Sequence, residues 1–90
     1  MYKGKGTESM KQAVVRAIAY FGSQGGMANA LNADGAGLGF AEIKAHNISD
    51  WLNKLGYVPA HDQLCLRIER LTEGKVSRYE LRPDVFGSAE

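Results

Sequence analysis

Three glycines punctuate this chain, and each closes a segment in which apolar residues recur at three- and four-residue steps. Met10, Val14, Ala17, Ile18 and Phe21 lead to Gly22; Ile48, Trp51, Leu52 and Leu55 lead to Gly56; Leu64, Ile68 and Leu71 lead to Gly74. That spacing puts each set on one face of a helix, and a glycine just past the last apolar position is a common helical stop. The implied fold class is all-α. A chain of 90 residues buries only about 60% of its unfolded surface, so one small domain with a thin stability margin is expected.

The intervals between these stripes carry their own signals. Residues 1–8, with Lys3, Gly4, Lys5 and Gly6, have no periodicity and read as a flexible, mildly basic arm; residues 9–90 read as the domain. Ser9, with Gln12 three positions on, has the form of a capping box opening the first helix. Gln24 to Leu31 reads as a short helix with Met27, Ala28 and Leu31 on one face, although Gly25 and Gly26 weaken its first turn by up to about 1 kcal/mol each. Ala33 to Glu42 is the least regular stretch. Ile43 lies off the Ile48 stripe at ~100° per residue, so the next helix is expected to begin at Lys44 or Ala45; a continuous helix from Phe40 is the alternative. Tyr57-Val58-Pro59 reads as an extended connection. A helix from about His61 to Thr72 follows, with Arg67, Glu69 and Arg70 outward. Ser77 and Glu80 cap a single turn ended by Pro83, and Asp84-Val85-Phe86 has room for one more.

Several functions are argued against. There are 11 Lys and Arg against 10 Asp and Glu, a net charge of +1. That is the right sign for a nucleic-acid binder but a weak magnitude. One cysteine excludes an internal disulfide framework. Nothing has the form of a signal peptide or membrane span, and the cytoplasm is the expected compartment. Gly35, Gly37 and Gly39 fail as a dinucleotide loop: no strand precedes them, and the fingerprint's last glycine falls on Phe40. Gly74-Lys75 runs into Val76 rather than a phosphate-loop serine or threonine. Gly22-Ser23-Gln24-Gly25 has the letters of a single-stranded nucleic-acid loop without its flanking strands. His61 and Cys65 have half the spacing of a metal site, with only His46 as a further ligand. No metal, cofactor or enzymatic activity is expected.

The polar face before Trp51 carries more. His46 and Ser49 lie away from Ile48 and Leu52, and both can bond base edges. Asn47 and Asn53 can reach bases or phosphates, and Lys44 and Lys54 can neutralise phosphates. Asp50 would repel phosphate yet can accept from a cytosine amino group. Gln24 opens the preceding helix beside its free N–H groups. Any amphipathic helix shows a polar face, and solvation alone accounts for one equally well.

At this point the chain resembles the YdaS-like proteins, small prophage-associated helix-turn-helix regulators of the lambda Cro/repressor superfamily. The resemblance runs from about Met10 to Phe86. It is most specific in Leu66-Arg67-Ile68-Glu69-Arg70-Leu71-Thr72 and in Gly74 to Phe86, with Ile48-Ser49 and Trp51-Leu52 matching the recognition helix. It implies a small lambda-repressor-like helix-turn-helix domain of about five helices with an extended turn inside the motif. It places Gln24 at a phosphate contact, Ala45, His46 and Asp50 at base-reading positions with Lys44, Asn47 and Ser49 beside them, and Ala28 where the two helices cross. It further implies a transcriptional repressor or antitoxin that acts as a homodimer on a double-stranded DNA operator, with a toxin or other prophage-encoded protein as a second partner. The chain departs from the pattern in two places. Ala33 to Glu42 appears as an insertion after Asn32, where glycine is usual, and Lys44 replaces the usual Ser or Thr cap, leaving Asn47 as the best cap in the stretch. A protein-interaction module that neutralises a partner directly is the competing reading, favoured by the weak charge, the glycine-rich loop with Phe40 and the apolar tail around Phe86.

Overall fold

In the computed structural model, which describes residues 7–87, the chain forms six helices and, among those residues, no strand. They are α1 (Glu8–Phe21), α2 (Gln24–Gly35), α3 (Ala45–Asp50), α4 (Leu64–Leu71), α5 (Arg78–Leu81) and α6 (Pro83–Phe86). The expected N-terminal arm, as far as residue 6, lies outside the described residues.

The first helix starts earlier than Ser9. Thr7 is the cap: its hydroxyl accepts the Met10 N–H at 3.2 Å, and its own N–H points to the Met10 sulfur at 3.5 Å. The reciprocal arrangement of a capping box is kept, with a buried thioether in the usual place of a carboxylate. Between α1 and α2 the chain turns so tightly that a Cβ on Gly26 would stand 2.5 Å from the Phe21 carbonyl oxygen. Gly26 therefore costs helix propensity but allows the two helices to meet, and Ser23 caps α2 by accepting the Gly26 N–H at 2.9 Å.

The three stripes meet in one core. Ala13, Val14 and Ala17 of α1 pack with Met27, Ala28 and Leu31 of α2, Ile48 of α3, Trp51 just after it, Leu64, Cys65 and Ile68 of α4, and Leu81 of α5. Val58 and Val76, from the connections, are buried with them. Fully burying a side chain such as Ile48 is worth about 1.5–3 kcal/mol. After α3 the helix widens into a π-helical turn, Trp51–Leu55, closed by Gly56 N–H on the Trp51 carbonyl at 2.8 Å.

The expected helix from His61 is corrected at its start. Asp62 and Gln63 both take left-handed backbone angles, φ 56° and 55°, so His61–Gln63 is a separate turn and α4 begins at Leu64. Arg67, expected outward, is 4% exposed. Beyond α4, the buried Thr72 hydroxyl donates to the Ile68 carbonyl at 2.8 Å and accepts from the Val76 N–H at 3.2 Å, which closes the turn into α5. Ser77 caps α5 by accepting the Glu80 N–H, and Pro83 opens α6 at a position needing no N–H donor. Arg82 ties this end together: it holds Asp84 through two nitrogens and donates to the Val58 carbonyl at 3.0 Å.

Candidate nucleic-acid interface

The geometry of α2 and α3 depends on what happens between them. Asn32 spans the gap: its amide donates to the Ile43 carbonyl and its oxygen accepts the Ile43 N–H, both at 2.7 Å. One side chain thus satisfies both backbone groups of Ile43, as a neighbouring strand would. The intervening residues form an excursion from a fixed base, and the chain enters α3 from a held position. Ile43, itself buried, belongs to the connection rather than to the helix.

The insertion is also shorter than it reads. Ala33, Asp34 and Gly35 continue α2 for another turn, so the irregular part runs over residues 36–44, and the continuous helix from Phe40 does not form. Arg67 causes the extension. Its guanidinium donates to Asp34 at 2.9 Å, to the Leu31 carbonyl at 2.7 Å and to the Asp62 carbonyl at 3.1 Å, while Arg70 holds the other Asp34 oxygen. A carbonyl near the end of α2 and the αL turn before α4 are satisfied by one cation. Phe40 closes over it, 4.5 Å from guanidinium carbon to ring centroid, a cation–π contact worth about 1–2 kcal/mol when desolvated. A Cβ on Gly35 would lie 2.7 Å from an Arg67 nitrogen, so only glycine leaves the cation room there. The hydrogen bonds from Arg70, then Arg67, hold the Asp34 carboxyl below the ordinary carboxylate range.

On α3 the expected reading residues fall into three groups. Ala45, His46, Ser49, Asp50 and Asn53 recur at one- and three-residue steps opposite the buried Ile48 and Trp51, and form a single outward face. Lys44 and Lys54 stand exposed at its two ends. Asn47 is engaged with the backbone instead. Its side-chain oxygen accepts the Lys44 N–H at 2.8 Å, which makes Lys44 the N-cap and Asn47 the reaching partner rather than the cap itself. Gln24 sits on a different element, at the first position of α2.

Within the outward face the polar groups are partly paired. Asn53 donates to the Ser49 hydroxyl at 3.2 Å, and Lys54 lies 3.8 Å from Asp50. Lys54 thus neutralises the residue that would repel phosphate. His46 has no hydrogen-bond partner among the described residues and is exposed. The five arginines are all ion-paired: Arg16 with Glu80, Arg67 and Arg70 with Asp34, Arg78 with Glu69, and Arg82 with Asp84. Lys44 is the cation nearest the face with no carboxylate partner among the described residues.

His61 is exposed and precedes the break at Asp62, whereas Cys65 is buried in the core, where desolvation raises its thiol pKa to about 11. Among the described residues no group of three His, Cys, Asp or Glu side chains could hold a metal ion, and no helix is long and apolar enough to cross a membrane. The Asn32 bridge and the Arg67 centre were missed from the sequence; the available signals were an asparagine at a turn position that usually holds glycine, and Asp34 placed to meet a cation.

Compared with known proteins, the chain matches no curated protein and no solved structure. A family model described as "Bacterial toxin YdaS" matches residues 14–90, from the second turn of α1 onward.

Proposed function

The chain belongs to the YdaS family, and from that premise we propose that it is a sequence-specific, double-stranded DNA-binding regulator. In this reading it is a cytoplasmic, prophage or toxin–antitoxin associated repressor that acts on the DNA upstream of its own gene as a homodimer and catalyses no reaction. The single observation that carries the reading is the outward face of α3. His46, Ser49, Asp50 and Asn53 stand in one row, Ala45 leaves room for close approach, Lys44 and Lys54 flank the row, and α2, with Ala28 buried in the common core, packs against α3. A row of short donors and acceptors on a helix held from behind is what base-edge readout in a major groove requires.

The test is a gel shift on the DNA upstream of the gene, titrated with salt. A retarded complex that prefers this DNA over random sequence and weakens with salt supports the reading. No preference at an ionic strength of about 0.1 M, or affinity indifferent to salt, sinks it. His46→Ala should lower discrimination between operator and random DNA by about 1–3 kcal/mol while leaving binding to random DNA nearly unchanged.

A second reading has its own observation. Leu38, 61% exposed, stands out from the connection before α3, as an anchor for a protein partner would. The family description names a toxin, and a member that binds a protein partner directly is the form this reading takes. Co-purification with the product of a neighbouring gene, lost in a Leu38→Asp variant, is the observation that favours it.

A further inference from the structure

We propose that the connection between α2 and α3 is a self-association site, in which Leu38 of one copy enters the cleft beside the same loop of a second copy. The inference rests on the homodimer in the reading above and names its surface. Leu38 is the most exposed of the large apolar side chains described, and glycines on both sides leave it unshielded. Its loop is nevertheless held in place, by Asn32 on Ile43 across its base and by Phe40 over Arg67 just beyond Leu38.

Next to this leucine is an empty place of suitable size. A cleft of about 370 Å³ is lined by Leu31, Gly35, Gly37, Gly39, Phe40 and Arg67, among others. Both neighbours of Leu38 form its wall, but Leu38 does not fill it. An apolar hole of about 150 Å³ already admits a benzene ring, so a leucine side chain fits. The cleft's one cation, Arg67, is covered by Phe40 and neutralised by Asp34, and its one carboxylate, Glu42, is exposed.

The occupant is a second copy because the patch is self-complementary. A two-fold contact pairs residue i with j and j with i, so a knob adjacent to its own hole closes after two molecules. The charges agree: Glu42 and Lys44 are both exposed at the base of the loop, and across a two-fold Glu42 of each copy faces Lys44 of the other. A net charge of +1 leaves little repulsion between copies. A contact of one loop on each side falls below the ~1,200 Å² of a standard interface, so weak, reversible association is expected.

Sedimentation equilibrium of the full chain tests this. The wild type should show a monomer–dimer equilibrium with a dissociation constant on the order of 10–100 µM. Leu38→Asp should weaken it more than about tenfold, and Leu38→Ser should do the same with less risk to folding, both with unchanged helical circular dichroism. Val85→Asp, at another exposed apolar residue, should leave it intact. Glu42→Lys should weaken the dimer and the double variant Glu42→Lys, Lys44→Glu restore it; a double variant that stays monomeric overturns the crossed pairing. A wild type monomeric throughout, or a Leu38→Asp dimer as strong as wild type, overturns the proposal. Gel shifts on a single half-site separate the two claims. DNA binding by a monomeric Leu38→Asp variant with dimerisation lost supports both; a dimer that depends on Leu38 in a chain that binds no DNA upholds the interface and overturns the repressor.

Discussion

Asp34 and Arg67 show how much one pair of residues can set in a small domain. Arg67 is buried with a single carboxylate as its countercharge, shared with the exposed Arg70. Replacing Asp34 by asparagine keeps a hydrogen-bonding shape but leaves the cation without its charge partner. The expected cost is about 2–4 kcal/mol, between a lost charged hydrogen bond and a broken buried pair, read as a shift in the urea midpoint. Asp34, through Arg70 and Arg67, and Asp84, through Arg82, both have carboxyl groups held below their ordinary range. A group whose folded pKa is depressed stabilises the fold above its unfolded value, ~3.9, and that contribution is lost as pH falls through the folded one. Stability should therefore fall below about pH 4, and a double Asp34→Asn, Asp84→Asn variant should start lower and fall less steeply over the same interval. At this scale the sequence was least legible. Three residues after Leu64 and four before Leu71, Arg67 stands beside the apolar stripe, but its charge argues for an outward place; it is buried because the Asp34 carboxylate, the Leu31 carbonyl and the Phe40 ring converge on it.

At the scale of elements, the stripes ending at Gly22, Gly56 and Gly74 all became helices, because burial of a periodic face decides structure more strongly than local preference. Boundaries moved where a tertiary partner intervened: α2 grew to Gly35 around Asp34, and α4 lost its first residues to the turn at Asp62. In the proposed function, DNA reading depends on the position of α3 relative to α2, and Asn32 ties the chain entering α3 back to α2. Asn32→Ala removes both hydrogen bonds to Ile43 and should cost about 1–3 kcal/mol of stability. The more telling result is in binding. The variant should lose preference for the operator while keeping its affinity for random DNA, because a helix with a loosened entry still presents the same lysines. A variant that loses both equally would place the role of Asn32 in folding alone. The outward face of α3 was legible from the sequence because it is the complement of a legible buried stripe. Asn47's withdrawal into capping was half-legible, as its capping ability was visible but not the side of the cap on which it acts.

At the scale of the molecule, most of the cations among the described residues are held by carboxylates of the fold. Every arginine holds a carboxylate, and Lys54 faces Asp50. With Lys44 turned to Glu42 of the other copy in the proposed dimer, Lys54 is left as the phosphate contact in each copy, so a dimer neutralises about two phosphates, and the logarithm of affinity should fall with the logarithm of salt at a slope of about −2, using ~0.9 per contact. A slope near −10 would require further cations, and Lys54→Ala should make the slope shallower by about one unit per copy. The match from residue 14 to residue 90 spans α2, α3 and α4 as a unit, and the Arg67 centre gives this unity a consequence in time. Asp34 waits for a residue 33 positions downstream. On the ribosome, where a chain grows by about 5–20 residues per second, both helices of the motif are made before the cation that sets the loop between them. The outward face of α3 is therefore assembled last-to-first: a nascent or truncated chain ending before α4 would carry every residue proposed to contact DNA and lack the arginine that fixes the loop between the two helices.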